Sequence, residues 1–232
     1  MVVRAEDFDR KYIDNFNSAV EEINFDSNAN RTYTGDKDEK LNRNIGMMCA
    51  ANGAYIKHFH GIASLNGFAN WTVWYYDGKT DGEKVTLKGR YGRFETTKQK
   101  LWDRLHIALE PFVRENQILI GLYNRGIDCW YDVDDDGNGI DITAEIDGVK
   151  VGIASWVITI DGVRRKIAKN QYHSNEYKKI PMIDAPVLLN GASTIKLKNG
   201  SVLYDDVYLD MLAAGIKSAA RRLKNESCRC GN

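Results

Sequence analysis

The spacing of hydrophobic positions changes along this chain, and each change marks a different kind of element. Phe8, Tyr12, Phe16, Val20 and Ile23 recur at helical spacing, which predicts an amphipathic helix over about 6–23. Thr96-Thr-Lys-Gln99 has the spelling of a capping box and precedes Leu101, Leu105, Ala108 and Phe112 on one face of a central helix. Leu203, Val207, Met211, Ala214 and Ser218 line up in the same way near the end. There Arg221, Arg222 and Lys224 offset the negative end of a helix dipole. Met47–Ile62 also reads as helical, with Gly53 and Gly61 weakening the pattern. Between these stretches Trp71–Tyr76 and Lys84–Lys88 read as a hairpin rich in aromatic and β-branched residues, and Ile118–Tyr123 as a short buried strand.

The clearest alternation lies between 140 and 169, where the tetrapeptide Ile-Asp-Gly-Val occurs at 146–149 and again at 160–163. Asp-Gly supplies the positive φ angles of two-residue hairpin turns, so the pattern predicts a three-stranded meander over about 140–146, 149–160 and 163–169. In that register Ile140, Ile142, Ala144, Ile146, Val149, Val151, Ile153 and Val157 share the core face. The other face carries Asp141, Thr143, Glu145, Lys150, Gly152, Ala154 and Trp156. Asp141, Ala154 and Lys169 fall in one row, and the small Ala154 lets the outer two meet. The expected class is α+β: a mostly antiparallel sheet that includes this meander, flanked by N-terminal, central and C-terminal helices.

Composition narrows the function classes only a little. At 43% hydrophobic and 28% charged, the 232 residues are ordinary for a globular chain, and with no boundary in view they are expected to form a single domain over 1–232. Thirty-two basic side chains balance thirty-two acidic ones, which removes a net field for nucleic acid but leaves room for a local patch. No apolar run has the length of a membrane span and the start is charged from Arg4, so a cytoplasmic protein without membrane contact is expected. Cys228 and Cys230 have no second pair to complete a zinc site, and His58 and His60 have no third ligand nearby.

The chemistry concentrates in Asp132–Glu145, where six carboxylates and an asparagine occupy fourteen residues. So dense a charge repels itself unless water or a cation screens it, which raises a divalent metal, Mg²⁺ or Ca²⁺, as a ligand. Asp134, Asp136, Asn138, Gly139 and Glu145 match the first, third, fifth, sixth and twelfth positions of an EF-hand calcium loop, and the segment resembles that family over these twelve residues. Asp141 breaks the pattern at the eighth position. An extended 140–145 also carries Glu145 about 20 Å past Gly139, too far to close the loop, so a looser Asp-x-Asp-x-Asn-Gly turn is the form that survives.

Asp141 at the start of a strand also resembles the pattern of metal-dependent nucleases with a restriction-endonuclease-like core. These set an Asp on one strand and a Glu/Asp-x-Lys on its neighbour. The resemblance implies that the carboxylates hold magnesium and that the lysine orients the attacking water. The neighbouring strand here offers Gly152, Ala154 and Trp156, and Glu176-Tyr-Lys178 has the spelling but sits in a polar loop. The degenerate version makes Asp141, Glu145 and Lys169 the catalytic set and Asp134, Asp136, Asn138 and Asp141 the metal ligands. Arg164, Arg165, Lys166 and Lys178, interleaved with Tyr172, His173 and Tyr177, would hold a nucleic-acid backbone. A phosphodiesterase or nuclease acting on nucleic acid is the leading expectation. The alternative is a non-enzymatic structural or assembly protein with a calcium-stabilised loop at 132–138, forming oligomers through its terminal helices.

Overall fold

The structure, a computed structural model, describes residues 1–25, 48–89, 92–132, 140–160, 162–164, 167 and 180–229. In chain order they form β1 (Val2–Val3), α1 (Arg10–Asp14), α2 (Phe16–Glu21), α3 (Met48–Phe59) and α4 (Leu65–Tyr75). Next come β2 (Lys79–Asp81), β3 (Lys84–Gly89), β4 (Gly92–Thr97), α5 (Lys98–Tyr123), β5 (Asp128–Asp132), β6 (Ile142–Ile146) and β7 (Val149–Val157). The chain closes with β8 (Met182–Val187), β9 (Thr194–Lys196), β10 (Val202–Tyr204) and α6 (Asp206–Arg229). The class is α+β with mostly antiparallel sheets, as the alternation predicts.

Where a single domain is expected, the chain divides into two compact units: one from 1–6, 114–197 and 202–232, the other from 7–113 and 198–201. Long helix α5 gives its first part to the second unit and its last part to the first. No composition shift marks this division, because both units draw on pieces from either side of it.

The first unit is built on a five-stranded sheet in the order β1-β5-β6-β7-β8. Its centre is the hairpin read from the sequence. Ile146 pairs with Val149, Glu145 with Lys150, Ala144 with Val151, Thr143 with Gly152 and Ile142 with Ile153. Asp147 and Gly148 have φ of 52° and 79°, the two positive values that a type I′ turn demands. Ile142, Ala144, Val151 and Ile153 are all buried. The Cys129 thiol on this face donates to the Leu119 carbonyl of α5, and burial raises its pKa to about 12. Gln117 of α5 is buried and makes two bonds to one strand residue: its Nε2 donates to the Tyr204 carbonyl, and its Oε1 accepts the Tyr204 N–H, each at 2.8 Å.

The third strand differs from expectation. Residues 162–164 and 167 are helical, and the strand beside β7 is β8, which runs parallel to it. The first copy therefore makes a turn at 146–149, whereas residues 160, 162 and 163 of the second are helical. The residue before each copy accounts for the difference. Glu145 precedes the first, whereas Thr159 precedes the second, and its Oγ1 accepts the Gly162 N–H while its carbonyl accepts that of Val163. A threonine cap of this kind starts a helical turn where glutamate does not.

Four other elements depart from the sequence pattern. Ile118–Tyr123 is the last part of α5, not a strand; Ile118, Leu119, Ile120 and Leu122 are buried, and an all-apolar run has no period to tell the two forms apart. Trp71–Tyr76 belongs to the end of α4, which Ser64 caps through the Gly67 N–H and which buries Leu65, Phe68, Ala69 and Thr72. The C-terminal helix exists but turns its other side inward: Leu209, Leu212, Ala213, Ile216, Ala219 and Ala220 are buried, while Val207 and Met211 are 66% and 67% exposed. In the second unit the N-terminal stretch is two helices, broken at Asn15, whose side chain caps α2 through the Ser18 N–H. The meander β2-β3-β4 packs Val85, Leu87 and Phe94 inward.

Candidate functional site

In the first unit the antiparallel ladder between β6 and β7 ends at Ile142–Ile153, and the residue that ends it is Asp141. Its N–H donates to the Ile153 carbonyl, and its carboxylate Oδ2 accepts the Ser155 N–H at 2.5 Å. A side-chain oxygen thus stands where the next strand carbonyl would stand, and Asp141 is only 7% exposed.

Beyond Ala154 the row continues onto β8, where Ala154 pairs with Asp184. Asp184 thereby occupies the place that the sequence register gives to Lys169. Asp141 and Asp184 flank a methyl side chain, with their Cα atoms about 10 Å apart, two strand spacings. Asp184 is exposed and Asp141 is buried, so the row opens toward solvent on the β8 side. Gly152, two residues before Ala154, leaves room that Ile140 and Met182 border: a Cβ there would lie 3.3 Å from Ile140 Cγ2 and 2.4 Å from Met182 Sδ. Ile140 thus lies on the Asp141 side of the sheet, and not on the core face as the alternation has it.

Glu145 does not join this row. Four residues further along β6, it lies about 13 Å from Asp141 and sits between Asp128 of β5 and Lys150 of β7. There Arg4 pairs with Asp128, and Arg4 and Lys150 lie over the Trp130 ring at 5.0 and 5.3 Å. Of the basic residues, Arg164 is helical and exposed. Arg165, Lys166, Lys169 and Lys178 lie outside the described residues, as do Asp134, Asp136 and Asn138. Among the described residues no three His, Cys, Asp or Glu side chains come together to hold a metal ion. His58 and His60 separate: His58 stacks on Trp71, while His60 Nδ1 is bonded to the Asp7 carbonyl.

Asp184 is the residue that sequence reasoning passed over. Met182, Ile183 and Val187 carry a strand signal, but Pro181 and Pro186 interrupt it; proline is tolerated on an edge strand, and β8 is one. On the opposite face Ser155 Oγ lies 3.1 Å from the Tyr204 hydroxyl, which donates to the Ala185 carbonyl. Burial raises the pKa of Tyr204, and raises that of Tyr208, stacked on it at 4.6 Å, to about 12. Both phenols are therefore neutral packing groups at ordinary pH. Among the described residues no helix is long and apolar enough to cross a membrane. No protein-family model matches the chain, and no curated protein or solved structure matches it either.

Proposed function

We propose that the first unit is a metal-dependent phosphodiesterase of nuclease type, acting on nucleic acid in the cytoplasm, with Asp141 and Asp184 as ligands for Mg²⁺. The observation that carries this reading is the row Asp141–Ala154–Asp184, two carboxylates on strands either side of a methyl group. Magnesium suits it: the ion is commonly bound by one or two carboxylates, with waters and substrate phosphate oxygens filling the remaining positions. Bound there, the ion would stabilise charge developing on a phosphate. The hydrogen bond from Ser155 fixes Asp141, and Asp184 is exposed on the edge strand β8. Glu145 drops out of the catalytic set on distance. Lys169 loses the place across Ala154 that gave it the water-orienting role, while Arg164, Arg165, Lys166 and Lys178 keep the backbone-binding role that their sequence positions suggest. The test is a melting curve with Mg²⁺ or Mn²⁺ against chelator, followed by cleavage assays on single- and double-stranded DNA and RNA. A metal-dependent rise that disappears in Asp141→Asn and in Asp184→Asn, together with cleavage lost in both, supports the reading. A rise unaffected by either substitution, or no rise at millimolar metal, rejects it.

A second reading, a structural or assembly subunit, draws on the outward stripe of α6. Val207 and Met211 expose two-thirds of their surface one turn apart, and the exposed Ala214 and Ser218 extend the line. Sedimentation of the wild type and of Met211→Glu decides it: an oligomer that falls to monomer in the variant favours assembly.

A further inference from the structure

The second unit carries a column of aromatic rings that its own core does not need. Trp74 packs on Trp71 with centroids 4.6 Å apart and planes at 32°, and Trp71 stacks on His58 at 5.4 Å and 28°. Phe59 and Tyr55 brace the Trp71 ring edge-to-face at 5.3 and 5.8 Å, and the Trp71 indole N–H donates to the Ala51 carbonyl. The inner end of the column is thereby fixed. The outer end is bare: Trp74 is 67% exposed and Phe59 48%. A large flat ring with one face packed on a fixed partner and the other in water is a stacking platform for a ligand ring.

What lies beside that platform limits the ligand. Past the end of α4 the chain turns at Asp77-Gly78, with the Gly78 N–H donating to the Val73 carbonyl, and enters the β2-β3-β4 meander. Alternation sets Lys79, Asp81, Lys84, Thr86, Lys88, Arg93, Glu95 and Thr97 on its outer face, four cations against two anions, while Val85, Leu87 and Phe94 point inward. Lys88 and Arg93 are cross-strand neighbours at the α4 end of this face. The Lys88 N–H donates to the Tyr76 carbonyl, and the Arg93 guanidinium pairs with Asp77 at 2.9 Å. Cations therefore stand close to the C-terminal turn of α4 that carries Trp74.

We propose that Trp74 and the Lys88 end of the meander form a binding site for single-stranded nucleic acid, with a base stacked on the Trp74 indole and an adjoining phosphate on Lys88, beside the Arg93–Asp77 pair. Single strands are the right class because their bases expose π-faces, whereas a duplex buries its own. Lys88 supplies the backbone contact that stacking alone lacks. The site deepens the nuclease reading by naming the substrate class but does not depend on metal or on the carboxylate row.

The test uses the full chain in chelator with a fluorescent oligothymidine of about twelve nucleotides, within the usual footprint of such sites, and reads anisotropy at several salt concentrations. Trp74→Ala is expected to weaken binding about tenfold or more, since the indole projects into water and its loss leaves the core intact. Lys88→Ala is expected to reduce the salt slope by about 0.7, one single-strand phosphate contact. Equal binding by wild type and Trp74→Ala, equal affinity for a duplex of the same length, or no binding at low salt would each overturn the proposal. Because the readout is metal-free, its failure is separate from that of the nuclease reading, which fails when binding persists and metal-dependent cleavage is absent.

Discussion

Replacing Asp141 by alanine and by asparagine separates its structural role from the metal-binding role proposed for it, because only one of the replacements removes the hydrogen bond to Ser155. In the wild type a carboxylate of 7% exposure accepts a strand N–H at 2.5 Å. Hydrogen bonds to charged groups contribute about 1.5–3 kcal/mol, and a partly buried N–H left without a partner costs a similar amount. Asp141→Ala is therefore expected to destabilise the first unit by about 2–3 kcal/mol. Asparagine keeps an oxygen of the same reach, at the strength of a neutral bond, and should cost about 1 kcal/mol. The gap of about 1–2 kcal/mol is a factor of roughly 5–30 in the folded-to-unfolded ratio. Urea unfolding in chelator, followed by tryptophan fluorescence, measures it without interference from metal; Trp130 and Trp156 lie on β5 and β7. With Mg²⁺ added, both variants should lose the metal-dependent gain alike. Equal stability of the two variants in chelator would refute the claim that this carboxylate ends the ladder.

Three further outcomes are expected. Gln117→Met removes a side chain that pairs with both backbone groups of Tyr204, so two buried groups lose a partner and unfolding should cost about 2–5 kcal/mol less; a denaturation shift under about 1 kcal/mol would count against it. Gly78→Ala would set a Cβ 2.7 Å from the Val73 carbonyl oxygen and 2.9 Å from that of Thr86, both backbone atoms, and should destabilise the second unit by about 1–3 kcal/mol as read by the midpoint of thermal unfolding. The fold raises the pKa of Cys129 and Tyr208 to about 12 by burial, so it favours their protonated forms. Their contribution is complete below the ordinary values of 9 and 10 and is lost as pH rises through about 12. Stability of the first unit should therefore fall between pH 9 and 12, less steeply in Tyr208→Phe; a flat profile in urea titrations would disprove the assignment.

What could be read from the sequence depended on how much of each decision was local. The 142–153 hairpin was legible because Asp147-Gly148 fixes the turn and strict alternation fixes the faces. The second Ile-Asp-Gly-Val has the same turn chemistry, but Thr159 ahead of it supplies a cap, and the cap decided the outcome. Parallel pairing of β7 with β8 has no local signature at all, since the two strands are joined through residues 158–181 and only tertiary packing brings them together. That is why Asp141 could be singled out while its row partner Asp184 could not. The face of α6 failed for a different reason: the pattern was started from Leu203, a strand residue, although Leu209, Leu212, Ala213, Ile216, Ala219 and Ala220 are apolar throughout and the Val207–Met211 stripe runs into Ser218.

The way the two units share the chain has a consequence for how the protein is made. Val2 and Val3 belong to a strand whose partner is Tyr131–Asp132, and the whole of 7–113 is synthesised between them. At ribosomal speeds of about 5–20 residues per second, the first strand waits on the order of ten seconds for the segment it must join. The second unit waits longer still for 198–201, which reaches back to α2 through the bonds of Asn199 to the Val20 and Ile23 carbonyls. The first unit cannot be completed during translation before β10 and α6 are made, nor the second before 198–201, and no single cut between residues would release either one whole.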